Sequence, residues 1–341
     1  MKQFRIARFD RAFLTPHNSN PSVWSSHDGS APLPSPPIEK SLKSAKLAAL
    51  HARLGLPASL PLQTLARTLV HPSADPSPSF NNASLSVLGS DLLGYYTAEQ
   101  LVCRYPRLPM AVISAAMWAY FGAKTSSALA REWGVESAAE PGAEVDPGLL
   151  QFTRALPATR VFRENGRSRI IYSDKPDGSR SQPTSAPKQV TLETACTQFV
   201  RALAGAVFLH GGRDVAKQFF RDHILTRDLS VSSLFVFKQP TRDLSRLCAR
   251  EGFDPPVARL ISETGRKSRH PVFVVGVYSG QDLLGQAAGS SLNEARIKAA
   301  IAALKGWYLY SPMEYGVPSD TEGEGARSWK PAMIDCGEVV V

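Results

Sequence analysis

Apolar residues recur at helical spacing through much of the chain. Between residues 82 and 102, Leu85, Leu88, Leu92 and Tyr95 predict an amphipathic helix whose apolar stripe faces a core. Helical patterning begins earlier, over Ser41 to His71, and residues 74–81, with Pro76 and Pro78, form a loop into that helix. Met110 to Ala123 is nearly continuous in apolar residues and predicts a buried core helix; a further helix runs through Ala128 to Trp133 and stops at Gly134. Thr191 to Phe220 predicts two helices broken at Leu209-His-Gly-Gly-Arg213, the first carrying Phe199, Leu203 and Ala206 on one face. The period then changes. A helix over Thr241 to Arg250, with Leu244, Leu247 and Cys248 inward and Thr241 or Asp243 as its cap, precedes strands at Val257 to Ser262, Val272 to Tyr278 and Leu283 to Ala287. A last helix begins near Leu292, with Ala295, Ala299, Ala300, Ala303 and Leu304 as its packing stripe.

Three stretches lack such patterning. Residues 1–45 are rich in proline and serine, including Pro32, Pro34, Pro36 and Pro37, and predict an extended arm. Lys2, Arg5, Arg8 and Arg11 suit either a mitochondrial targeting leader or a basic arm lying along phosphates. Residues 136–190 form a polar insertion interrupted by prolines and carrying Arg163, Arg167 and Arg169, with a hairpin over Val161 to Tyr172 turning at Asn165-Gly166. Residues 312–341 turn acidic around Asp320, Glu322 and Glu324 and predict a flexible surface tail without chemistry.

At 341 residues the chain accommodates two domains, and its net charge of +9 points to a polyanionic partner. No apolar run in the sequence reaches the roughly 18 to 20 residues of a membrane span. Cys103, Cys196, Cys248 and Cys336 are scattered without ligand spacing, which argues for reduced thiols and against a zinc site.

The segment from Asn82 resembles the signature helix of the ribonuclease III family, Asn-Glu-x-Leu-Glu-x-Leu-Gly-Asp, whose carboxylates hold magnesium. Asn82, Leu85, Leu88 and Gly89 match, while the acidic positions are Ala83, Ser86 and Ser90. Upstream, His71 and Ser73 match the family's Thr-His-Arg-Ser element, proline replacing its arginine. The family's second metal helix resembles Ala202-Leu-Ala-Gly-Ala206 followed by Phe208-Leu-His-Gly-Gly212, and there the acids fall on Gln198 and Arg201. Two-metal phosphodiester chemistry requires converging carboxylates. One guanidinium about 4 Å from a divalent ion costs roughly 8 kcal/mol at an effective dielectric of about 20. No metal, no cofactor and no catalytic residue is therefore expected. Asp91, beside Ser90, restores at most one acid and points about 100° away.

The helix, three strands and helix of residues 238–311 resemble a double-stranded RNA-binding domain through Gly289-Ser-Ser-x-x-x-Ala-Arg-x-x-Ala-Ala-x-x-Ala-Leu304. Such domains read A-form shape over about 16 base pairs. The lysine pair expected at the start of the last helix is Leu292 and Asn293, leaving Arg296, Lys298, Ser290, Ser291 and the helix N-terminus. The loop holding Arg266, Lys267, Arg269 and His270 adds positive charge. The resemblance thus implies an α+β protein: an all-α ribonuclease III-like domain over 46–237, then an α-β-β-β-α double-stranded RNA-binding domain. In this combination, and with Tyr105-Pro-Arg-Leu-Pro-Met-Ala-Val112 and Lys305-Gly-Trp-Tyr-Leu-Tyr-Ser-Pro312, the chain looks like the ribonuclease III-derived large-subunit ribosomal proteins of mitochondria, particularly the fungal form. That family implies binding to large-subunit ribosomal RNA, contact with neighbouring mitochondrial ribosomal proteins, and pairing with a second ribonuclease III-like subunit. An active or partner-completed endoribonuclease and a non-ribosomal duplex-RNA adaptor are the alternatives.

Overall fold

The computed structural model describes residues 36–155, 159–162, 168–171, 189–313 and 315–321. Its first part is helical: α1 (Ile38–Ser41), α2 (Ala45–Arg53), α3 (Leu62–Thr68), α4 (Ala83–Arg104), α5 (Met110–Phe121) and α6 (Ala123–Glu132). A strand pair follows, β1 (Thr159–Phe162) and β2 (Ser168–Ile171), then the long α7 (Leu192–Phe220). Leu47, Leu65, Leu69, Leu93, Phe199 and Leu203 form the centre of one core, each at most 1% exposed.

That core is built around the crossing of α4 and α7, where the backbones touch. A Cβ on Gly89 would lie 1.7 Å from the Arg201 carbonyl oxygen, and one on Gly205 would lie 2.3 Å from that of Leu85. Only glycine permits such an approach. The buried stripe of α4 is Leu85, Gly89, Leu93 and Tyr96, one residue along from the expected one, and Tyr95 is exposed. The glycine contact sets this rotation, because Gly89 must face α7. Helix α7 breaks where expected: Gly212 takes a left-handed φ of 81°. By length and composition the stretch from Leu192 to Leu225 would suffice to cross a membrane, but most of it is buried in this core.

Helix α5 departs from expectation. Only Val112 and Ala116 are buried, while Met110 and Trp118 are 64% and 67% exposed. Among the described residues it rests on α4, α6 and the turn at Val231–Leu234 through one side, and its other side, with Trp118, is largely exposed. Two expected boundaries also move. Residues 36–45 belong to the packed body, since Ser41 is 1% exposed and α1 contacts α3. The insertion's opening does too: Gln151 pairs with Val70, Leu150 with Ser137, and Leu150, Gln151 and Phe152 are buried. The hairpin forms, with Phe162 opposite Ser168 and Val161 opposite Arg169.

The second part is α8 (Pro240–Glu251), β3 (Pro256–Thr264), β4 (Val272–Ser279), β5 (Asp282–Gly289) and α9 (Leu292–Tyr308), with the strands antiparallel in that order. Neither Thr241 nor Asp243 caps α8. Pro240 occupies its first turn and starts the helix earlier, so Asp243 lies inside it and is buried. Leu244, Leu247, Cys248, Ala299, Ala300, Ala303 and Leu304 form the core as expected, together with Val277 and Tyr308. Glycine again sets the spacing. A Cβ on Gly285 or Gly289 would lie 2.6 Å from the backbone nitrogen of Ala303 or Ala295.

The two parts are fastened together. The Arg107 guanidinium lies 3.8 Å from the ring centre of Trp307 and 4.8 Å from that of Tyr310. Leu108, Val112 and Val231 pack with Leu309 close by. The tail does not begin as a free surface segment: residues 315–321 return to the first core. Glu99 accepts hydrogen bonds from the Ser319 amide at 2.7 Å and hydroxyl at 2.6 Å. Asp320 pairs with Lys217 and, at 2.7 Å, with Arg221.

Candidate nucleic-acid interface

Two of the polar residues singled out on α4 and α7, Ser86 and Gln198, meet. Because the helices meet at Gly89 and Gly205, Ser86 faces Gln198, whose Nε2 is 3.5 Å from the Ser86 hydroxyl. Ser86 itself donates to the Ala83 carbonyl at 2.8 Å. His71 joins from the preceding loop. Its Nδ1 accepts the Ser73 amide proton at 3.0 Å, its side chain also hydrogen-bonds Gln198, and burial pushes its pKa below the ordinary histidine value. Arg67 fixes the approach to α4 by donating to Asn81, Pro78 and Ser84.

The chemistry of this set is a hydroxyl, an amide, an imidazole and, on the next turn of α7, the guanidinium of Arg201. Among the described residues no group of three or more histidine, cysteine or acidic side chains is arranged to hold a metal ion. The Arg201 Nε is buried without a partner. An orphaned cationic donor beside neutral ligands does not fit a divalent cation.

In the second part the register brings two predicted elements to one end of the sheet. Thr264 pairs with Val272 and Phe273 with Gly289, so the β3–β4 loop and the start of α9 share that end. Lys267, Arg269 and His270 are exposed on the loop, and Arg266 pairs with Glu263 at 3.3 Å. At α9, Ser291 caps the helix by accepting the Glu294 amide. Glu294 in turn accepts from the Ser290 amide at 2.9 Å and from its hydroxyl, and pairs with Lys298 at 2.6 Å. The Lys298 and Ser290 contacts hold its carboxyl at about 2. Ser290, Ser291 and Lys298 are thus engaged within the helix, whereas Arg296 is exposed. Arg163 and Arg167 lie outside the described residues, and Arg169 is placed by its backbone on β2.

Sequence reasoning missed Arg107, Glu99 and the 315–321 strap. The only signal was the cluster of aromatic residues Trp307, Tyr308 and Tyr310 at the end of α9. Burial pushes the thiols of Cys103, Cys196 and Cys248 up, as inert structural cysteines require; Cys336 lies outside the described residues.

Residues 235–322 match a family model described as the MRPL44 dsRNA-binding domain, a span that takes in the strap as well as α8 to α9. A protein of Neurospora crassa, large ribosomal subunit protein mL44, is 47% identical over 367 residues, covering 90% of this chain and 84% of that one. The chain belongs to the mL44 family. Dicer from Pichia stipitis aligns with 72% of the chain and 94% of its own at 18% identity and a TM-score of 0.31, too loose a likeness to bear weight. Membership of the mL44 family spans both parts of the fold, the polar α4–α7 crossing included.

Proposed function

We propose that this protein is a structural constituent of the large subunit of the mitochondrial ribosome, in the mitochondrial matrix, where it grips ribosomal RNA without cutting it. The observation that carries this reading is the 47% identity to an mL44 protein across 90% of the chain. The non-catalytic role draws further support from the donor set at the α4–α7 crossing. Ala83, Ser86, Ser90, Gln198 and Arg201 stand where the ribonuclease III pattern has acids, and they supply no carboxylate to activate water. RNA contacts are assigned to Arg266, Lys267, Arg269, His270 and Arg296, with the α9 N-terminus at Ser290 and Ser291, Lys298 beside it, and Arg163, Arg167 and Arg169 of the insertion. The absent lysine pair at Leu292 and Asn293 makes the module a weak reader of free duplex and suits it to a large assembly. Pairing with a second ribonuclease III-like subunit belongs to the same reading. It is supported by the exposed apolar surface of α5 at Trp118 among the described residues.

Sedimentation of tagged protein through a gradient of mitochondrial lysate tests the reading. Migration with large subunits is expected, and migration away from them would overturn it in favour of a free adaptor. Incubation of purified protein with duplex RNA and magnesium is expected to give no turnover; steady cleavage abolished by Asp91→Asn would restore the nuclease alternative.

A further inference from the structure

Arg201 stands where α4 and α7 meet most closely. Its carbonyl lies under Gly89, so the α4–α7 contact pins the backbone from which the side chain springs. Its Nε is buried, and among the described residues no carboxylate pairs with the guanidinium. Gln198 and Ser86 stand one helical turn away on the same two helices, hydrogen-bonded to each other at 3.5 Å, with His71 on Gln198. Of these groups only Arg201 carries a full charge at neutral pH, since burial disfavours protonation of His71.

A partly desolvated cation without a counter-charge calls for an anion from outside the chain. A guanidinium presents its donors in a planar fork that fits two phosphate oxygens. We propose that the α4–α7 crossing is an anion site in which Arg201, flanked by Gln198 and Ser86, holds a backbone phosphodiester of RNA directly, with no metal ion between them. The inference rests on the reading above that the protein binds RNA, and it inverts the sign of the site. A cluster of carboxylates would need a cation to approach a phosphate; Arg201 approaches it alone. RNA is favoured over an acidic protein segment because the same chain carries a double-stranded RNA-binding module, fastened to α4 by Glu99 and to α7 by Lys217.

The test is equilibrium binding of the full chain to an RNA duplex of about 30 base pairs, longer than the stretch of about 16 that one such module covers. Binding is measured across a salt series, in magnesium and in EDTA. Wild type is expected to bind equally in both. Arg201→Ala is expected to lose about tenfold in affinity and to flatten the salt slope by about one. Arg201→Lys should keep the slope. If wild type binds and Arg201→Ala matches it in affinity and slope, the phosphate site is overturned while the RNA-binding reading stands, and a protein carboxylate becomes the better partner for Arg201. Tighter wild-type binding in magnesium than in EDTA would also overturn it. If wild type binds no RNA, both fall. Should Arg201→Ala fail to fold, a hydroxyl-radical source tethered through Ser90→Cys in the otherwise intact chain is expected to cut bound duplex at one patch. Absence of any cut beyond that of the untethered chain would overturn the proposal.

Discussion

The α4–α7 crossing and the α9–β5 contact solve one packing problem and differ in what they do with charge. In both, glycine lets one backbone lie against another: Gly89 and Gly205 in the first, Gly285 and Gly289 in the second. At α9 the neighbouring polar groups satisfy one another, with Ser291 capping and Glu294 tied to Ser290 and Lys298. At the crossing Arg201 keeps a buried, unpaired Nε. Packing fixes the glycines in each place, whereas nothing in the packing fixes the charge beside them. A helix crossing of this kind can therefore keep its shape whatever polar chemistry stands beside it.

The comparison is sharpened most by filling the glycines. Gly89→Ala puts a methyl group 1.7 Å from a backbone oxygen that cannot rotate away, so the helices must separate and lose contacts along their length. A loss of about 3 kcal/mol or more is expected in denaturant unfolding, enough to keep the chain from folding if its margin is ordinary. Gly285→Ala meets Ala303 N at 2.6 Å across a sheet edge that can shift, and about 2 kcal/mol is expected. Equal losses would show that the two contacts are equally rigid.

What was legible in the sequence follows the same division. Local signals carried far: the α-β-β-β-α order, the alanine stripe of α9 and the break near Gly212 follow from periodicity and from glycine within short windows. The rotation of α4 was misjudged by one residue because Leu88, Leu92 and Tyr95 make an equally good apolar stripe until Gly89 is pressed against α7. Apolar content misled at α5, since burial depends on how many neighbours surround a helix. The strap was invisible because Ser319 meets Glu99 across 220 positions of chain, and a serine and an aspartate in a polar tail carry no pattern that announces a partner. At the candidate site, the identities of Ser86, Gln198 and Arg201 are readable, but the orphaned Nε follows only from how α4 and α7 pack.

The strap offers the next largest effect. Lys217 has a side chain only 10% exposed and depends on Asp320, which is itself 47% exposed. Burial alone would raise the Asp320 carboxyl, but Lys217 and Arg221 outweigh it and hold the pKa below the ordinary aspartate value. Asp320→Asn is expected to cost about 1 kcal/mol, between the values of surface and buried pairs. Amide exchange over residues 315–321 should quicken more than exchange in α4. With a depressed carboxyl, the ion pair contributes at pH above the unfolded value of about 3.9 and is lost as pH falls through the folded one. Unchanged exchange in the strap would mean that the Glu99–Ser319 bonds hold it alone.

The smallest effect separates the two regions by pH. His71 has its pKa lowered by burial, so the unfolded chain takes up a proton more readily than the folded one as pH falls below about 6.5. The helical core around α4 and α7 should therefore lose stability gradually as pH drops from 7 toward 5, by less than the strap substitution costs, and His71→Gln should remove the slope. Glu294, held at about 2 by Lys298 and Ser290, works in a lower window. Its contribution to α9 is complete above the unfolded glutamate value of about 4.3 and fades only as pH falls toward the folded one. Site-resolved amide exchange at pH 7 and pH 5 should thus show α4 and α7 loosening while α9 does not change. Parallel loosening of both would mean that they unfold as one unit, with Arg107, Trp307 and the strap coupling them strongly enough to erase the difference.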